Sequence, residues 1–186
     1  MQQTGFRAAH RLVEIANAVR ADPQLPRDAV VDLLVRHGER EADLSEGEFR
    51  DSDVRGLREA ALVLAEVLAE SDTDRAATAL DDLLSQHAAP PRLSRHDGHT
   101  WHLHTHDEAA GWSGWFLASG AFALARLLSE YGRATWGECA APGCRVLYLG
   151  GGPGAPQRYC GAACGTRVRV AEHRRRRKES REPSPG

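Results

Sequence analysis

The stretch Cys139-Ala-Ala-Pro-Gly-Cys144, followed by Tyr159-Cys160-Gly-Ala-Ala-Cys164-Gly-Thr-Arg167, holds all four cysteines of this 186-residue chain. They form two close pairs, C-x4-C and C-x3-C, separated by a segment about as long as those that divide the ligand pairs of four-cysteine zinc sites. Crowded thiolates repel one another, and Zn²⁺ accepts four of them tetrahedrally at about 2.3 Å without redox chemistry. The expectation is therefore one structural Zn²⁺ on Cys139, Cys144, Cys160 and Cys164. A closed four-sulfur shell leaves no position for a reacting water, so the metal is not catalytic. Two disulfides, or four unrelated buried thiols, are the competing assignments. The N-terminus Met1-Gln-Gln-Thr-Gly-Phe-Arg7 lacks the apolar run of an export signal, and disulfides are rare in reducing compartments.

Charge is divided unevenly about these cysteines. Residues 1–138 hold 14 Lys/Arg and 23 Asp/Glu, whereas residues 139–186 hold 10 and 3. A basic end on an acidic chain points to an anionic partner, most often nucleic acid. A basic tail folded back on the acidic part is the alternative. No stretch approaches about 18 consecutive apolar residues, so no membrane span is expected and the protein reads as soluble and cytoplasmic.

Upstream of the cysteines the periodicity is mostly helical. Phe6, Ala9, Leu12, Val13, Ala16 and Val19 predict a first helix, which ends near Asp22-Pro23. Pro26 to His37 predicts a second, stopped by Gly38. Ser45-Glu-Gly-Glu48 has capping-box spacing and introduces one long helix carrying Phe49, Val54, Leu57, Ala61, Leu64, Val67 and Leu68. Ser71-Asp-Thr-Asp74 repeats the pattern and opens a helix to about Gln86, which Pro90-Pro91 terminates.

The period then shortens to two. Arg92 to His96 and His99 to His106 flank Asp97-Gly98, a dipeptide favoured in tight hairpin turns. Alternation sets His102, His104 and His106 on one face, opposite Trp101, Leu103 and Thr105. Trp112 to Tyr131 is apolar around most of its circumference and predicts a central buried helix capped by Gly132, with Arg133 to Glu138 as a link to the cysteines. Within the cysteine region, Arg145 to Leu149 predicts a strand, Gly150 to Gly154 a turn, and Gln157 to Tyr159 the returning strand. A helix then opens at Cys160–Cys164, which gives a treble-clef-like order of knuckle, hairpin and ligand-bearing helix. The glycine run is no phosphate loop, because it lacks a Gly-Lys-Ser/Thr element.

The last helix continues through Arg167, Arg169, Arg174, Arg175, Arg176, Arg177 and Lys178. Arginine forks match phosphates and guanine edges, and a run of five cations supplies mainly salt-dependent affinity. Arg167, Arg174 and Lys178 share one face by helical spacing.

Residues 139 to about 178 resemble the CGNR zinc finger, named for a Cys-Gly-Asn-Arg tetrapeptide that reads here Cys164-Gly165-Thr166-Arg167. Also similar are the C-x4-C knuckle, the strand Val146-Leu-Tyr148, Arg158-Tyr159-Cys160 and the basic final helix. Residues 8 to 136 resemble the ABATE domain that usually precedes this finger, through Leu12 to Val19 with Asn17 and through Leu57-Arg-Glu-Ala60. The resemblance implies a stress-responsive transcription regulator whose finger binds DNA and whose larger domain receives a signal. Thr166 for Asn, and Leu149-Gly150 for a strand ending in Asp, depart from the pattern and bear on DNA specificity.

These readings give an α+β protein: residues 1–136 a mostly helical sensory domain with a β-hairpin or small sheet, 137–179 the finger with its basic helix, and 180–186 a disordered tail. DNA-contacting residues are expected at Arg158, Arg167, Arg169, Arg174 to Arg177 and Lys178. A small-molecule signal is expected near Asn17, Trp101, His102, His104 and Trp115, and the arrangement is compatible with a homodimer. A protein-interaction adaptor without direct DNA contact is the alternative function. No nucleophile with a recognisable base, metalloprotease helix or phosphate loop is present, so no enzyme is expected.

Overall fold

The computed structural model describes residues 3–95, 101–150 and 156–180. The Asp97-Gly98 turn, the glycine turn beyond Gly150 and the tail from residue 181 lie outside them. The architecture is α+β. Helices α1 (Gln3–Ala21), α2 (Arg27–Arg36), α3 (Asp51–Ala69), α4 (Thr73–His87) and α5 (Gly111–Tyr131) form the body. Strands β1 (Ala88–Ser94) and β2 (His102–His106) make one antiparallel pair, β3 (Trp136–Glu138) and β4 (Leu147–Leu149) a second, and α6 (Ala162–Glu179) closes the chain.

Helix α5 is the hub, packed against α1, α3 and α4. Its apolar circumference dictates that position, since a helix without a polar stripe must be surrounded. Phe116, Ala121, Leu124 and Leu127 are buried in it. Gly120 lets the neighbouring helices approach: a Cβ there would stand 2.7 Å from Leu64 Cδ1 and 3.5 Å from Leu12 Cδ2. Gly132 ends the helix in the left-handed region, φ 66°, as its C-terminal position requires.

Two helix starts differ from the sequence expectation. Ser45 does not cap α3. Its carbonyl accepts from the Glu48 and Phe49 amides at 3.1 and 2.8 Å, which makes a turn, and α3 begins at Asp51. There the Asp53 carboxylate accepts from the Arg50 amide at 2.8 Å. Arg27 ties this turn down by donating to the carbonyls of Leu44 and Phe49. At α4 the cap is Asp72 rather than Ser71, its carboxylate accepting from the amides of Asp74 and Arg75. A carboxylate there also suits the positive end of the helix dipole.

Strand β1 starts earlier than expected and carries Pro90-Pro91 inside it. The prolines end α4 but, lacking N–H groups, also interrupt the ladder: the register is broken between Ala88, which faces His106, and Arg92, which faces His104. Thr105 is buried at the base of the hairpin, while Leu93, Trp101 and Leu103 are exposed.

The largest departure concerns β4. The segment Gln157 to Tyr159 is not a strand, and β4 pairs instead with β3, in the stretch expected to be a link. Trp136 and Leu147, one from each strand, are buried in the core formed by the helices. Trp136 also donates its indole N–H to the Val67 carbonyl at 3.2 Å. The outer edge of β4 is satisfied by a side chain. Antiparallel residues alternately turn their amide groups towards and away from the partner strand. Val146 accepts from Cys139 on the β3 side at 3.0 Å, and Leu147 is bonded on the opposite side by Asn17 of α1. Asn17 Nδ2 donates to the Leu147 carbonyl and its Oδ1 accepts from the Leu147 amide, both at 2.8 Å. One carboxamide thus stands in for a neighbouring strand.

Asn17→Ala leaves a buried donor and acceptor without partners, so the zinc-loaded chain is expected to lose about 1–3 kcal/mol of stability in urea unfolding. An unchanged midpoint would show that the amide pair contributes nothing net.

Candidate metal centre

Cysteine placement follows from two short turns and the end of a helix. In the knuckle, Gly143 adopts φ 73°, a conformation that side chains resist, and the Cys144 amide donates to the Ala141 carbonyl at 2.9 Å. This brings Cys144 back beside Cys139, which closes β3. Across from the knuckle, the Ala140 amide donates to the Arg158 carbonyl at 2.8 Å and draws in the segment leading to Cys160. Cys164 lies one helical turn further on, within the first turn of α6, so its sulfur falls on the same side.

The four sulfurs lie within 4.8 Å of one another. Cys160 Sγ is 3.8 Å from Cys144 Sγ and 3.7 Å from Cys164 Sγ. A regular tetrahedron with zinc–sulfur bonds of about 2.3 Å has edges of about 3.8 Å, so these separations fit the metal. They also exceed by far the about 2.0 Å of a disulfide bond, and the four cysteines are free. The cluster is a site for one structural Zn²⁺.

Thiol electrostatics follow from the same crowding. Burial acts to raise Cys139, but hydrogen bonds from the Cys160 and Ala141 amides and from neighbouring thiols outweigh it and bring Cys139 down to about 7. Cys160 is pushed up to about 12 by burial and then by its hydrogen bonds with the other three thiols. At Cys164 the Cys160 hydrogen bond acts to lower the value, but burial, the Cys144 and Cys139 thiols and the Cys139 charge raise it overall. One thiolate makes the next unfavourable unless a cation is added. Arg167 contributes part of that compensation, its Nη2 lying 3.6 Å from Cys164 Sγ.

The remaining expected contact residues divide by position. Arg158 is exposed, its guanidinium 5.9 Å from the centre of the Tyr159 ring. Arg169 donates to the Thr166 hydroxyl at 3.3 Å. Arg174, Arg175, Arg176, Arg177 and Lys178 are all exposed along α6. Both ends of that helix suit its dipole, thiolates at the N-terminus and cations at the C-terminus.

The residues expected around a small-molecule signal occupy separate settings. Asn17 is committed to β4. Trp115 packs edge-on against Trp112, ring centres 5.3 Å apart, with the Arg11 guanidinium 4.2 Å from its own ring centre. Arg11 is in turn paired with Glu39 at 2.6 Å. Trp101 is exposed beneath Arg95. His104 stacks on His106 with ring centres 5.1 Å apart, and the His102 side chain lies outside the described residues. Among the described residues, the four cysteines are the one group of His, Cys, Asp and Glu side chains placed to share a metal.

Three further residues, Arg20, Glu138 and Arg145, carry no site signal in the sequence. Arg20 of α1 pairs with Glu138 at 2.6 Å, and Arg145 reaches the other oxygen of Glu138 at 3.5 Å. Glu138 precedes the first ligand, so this network links the metal site to the body. In the sequence it leaves only an acidic residue beside Cys139.

Residues 136–177 match the family model of the CGNR zinc finger, and with the sulfur geometry this establishes that a zinc finger is present. The match begins at Trp136, the first residue of β3. No curated protein matches the chain. Among the described residues, no helix is long and apolar enough to cross a membrane.

Zinc binding must displace the protons of Cys160 and Cys164, so affinity is expected to weaken as pH falls, because protons and metal compete for the same sulfurs. Competition with a chromophoric chelator between pH 8 and 6 checks the sign. Removing the metal should cost the finger its order, since about 10–16 kcal/mol of binding free energy is typical of comparable modules. A circular dichroism spectrum that keeps the α6 signal after chelation would contradict this.

Proposed function

We propose that the protein is a DNA-binding transcription regulator, in which the zinc finger presents α6 to the duplex and the helical body receives a signal. The observation that carries this is the exposure of every residue from 169 to 178 on a helix whose first turn is anchored by Cys164. From Glu172 to Lys178 the helix has no apolar position, and a stretch without an apolar stripe meets solvent or a partner and not a core. Five consecutive cations make that partner an anion, and a duplex presents phosphates at a spacing a helix can follow. The resemblance of residues 8 to 136 to the ABATE domain supports a sensory body and a stress-responsive role. The Asn17 and Glu138 links give that body a direct hold on the finger.

Fluorescence anisotropy of the zinc-loaded chain with duplex DNA across a salt series tests the reading. The plot of log K against log salt should slope by about −0.9 for each phosphate neutralised, and Arg174→Ala or Lys178→Ala should each reduce the slope by about one, equally for all sequences. If the zinc-loaded chain leaves duplex DNA unbound even at low salt, the reading fails, and α6 is then better understood as a docking element for an acidic protein.

A further inference from the structure

Beside the metal centre, at the root of α6, lies a cleft of about 420 Å³ that the exposed cationic run does not reach. Arg158 and Arg169 line it together with Gln157, Tyr159, Gly161 and Gly165. We propose that this cleft seats a single backbone phosphate of DNA with its sugar, gripped jointly by Arg158 and Arg169, and so fixes the register of α6 on the duplex. The proposal rests on the DNA-binding reading and adds to it the place where the finger holds the strand.

The lining chemistry selects the ligand. Among the described residues it includes two guanidinium groups and no carboxylate, and planar guanidinium forks match phosphate oxygens with paired hydrogen bonds. Among the described residues neither arginine is spent on an acidic partner: Arg158 lies over Tyr159, and Arg169 holds the Thr166 hydroxyl. The wall that carries Arg158 is fixed. Tyr148 donates its hydroxyl to the Gln157 carbonyl at 2.5 Å, Gln157 Nε2 donates to the Tyr159 carbonyl at 2.8 Å, and the Arg158 carbonyl accepts from Ala140 in the knuckle at 2.8 Å. The opposite wall is the first turns of α6, held by Cys164.

Glycines keep the space between these walls open. At Gly165 a Cβ would come within 3.3 Å of the Tyr159 ring, and at Gly161 it would meet nothing within 4 Å. A backbone phosphate can therefore come close to the main chain there. A contact between two rigid walls loses little side-chain freedom on binding, whereas the distal run is exposed along its length. Phosphate contacts of the first kind position a protein, and Arg169 continues along α6 towards the run that follows.

The test uses the full zinc-loaded chain, a fixed duplex and anisotropy across salt, with one zinc per chain confirmed for every variant. If both arginines share one phosphate, the double variant should reduce the salt slope by about one, and Arg158→Ala or Arg169→Ala alone by no more than that, because the remaining guanidinium still pairs the phosphate. A double variant that loses about two would mean two separate phosphates and would overturn the shared grip. An unchanged slope in the double variant would overturn the cleft alone and leave DNA binding by α6 standing. Absence of binding by the wild-type chain would overturn both readings.

Gly161 gives an independent arm that spares the arginines. Its φ of −177° suits any residue, and both Asn and Asp are good helix caps, so the fold is preserved. Gly161→Asp should weaken duplex binding by about tenfold through charge repulsion, while Gly161→Asn stays within about twofold. Equal effects of the two would contradict a phosphate in the cleft. Amide shifts at Gly161 and Gly165 should follow the duplex and not inorganic phosphate at the same phosphate concentration. Shifts with inorganic phosphate alone would replace the DNA assignment with a site for a small anion.

Discussion

Four sulfurs packed at tetrahedral spacing cannot all carry charge without a cation among them, and roughly the C-terminal quarter of the molecule is arranged around that constraint. The knuckle, the segment entering Cys160 and the first turn of α6 share little apolar surface, and about 26 residues between the outer ligands are too few to build a core. Among the described residues one main-chain bond, from Ala140 to Arg158, ties the knuckle to the segment entering Cys160, and zinc held by all four sulfurs would fix the rest. Arg167 approaches the cluster from outside and offsets part of its negative charge. The direction of α6 away from the body is therefore set at its first turn, where the ligand lies.

Metal coordination alone would leave the finger free to swing. It is prevented from doing so by a polar seam made of α1, β3 and β4. Asn17 completes the outer edge of β4, and Arg20 holds Glu138 next to the first ligand. Beneath this seam Trp136 and Leu147 continue the apolar core. The arrangement combines directional bonds, which choose one register, with burial, which supplies most of the free energy.

Much of this was written locally in the chain. The ligand set was legible because zinc needs four soft donors at short spacings, and the helices because apolar periodicity over three or more turns leaves few alternatives. Gly38 and Gly132 marked ends because a left-handed residue is needed there. What was not legible is pairing at a distance. A three-residue strand such as Trp136-Gly-Glu138 has no period to detect, and Gln157 to Tyr159 looked the better partner for β4 because it lay across a glycine turn. Nothing in the local pattern shows that the far edge of β4 is closed by a side chain of α1. The sequence points Asn17 towards a ligand, whereas both ends of its amide are spent within the fold. Ser71 is not the cap because the adjacent Asp72 carboxylate takes the Asp74 and Arg75 amides, and at Ser45 the Glu48 and Phe49 amides go to its own carbonyl, so the chain turns there and α3 starts further on.

The burial of Trp136 and Leu147 among the body helices bears on how such a chain can be recombined. A finger cut out at the start of its cysteines would leave β4 without its strand partner and the body with an open apolar floor. Exchanging fingers between related chains would thus require matched surfaces on α1 and α3, and the two parts of the protein should drift in sequence together. The finger and the body share one apolar core through Trp136 and Leu147, so neither is a self-contained unit to exchange.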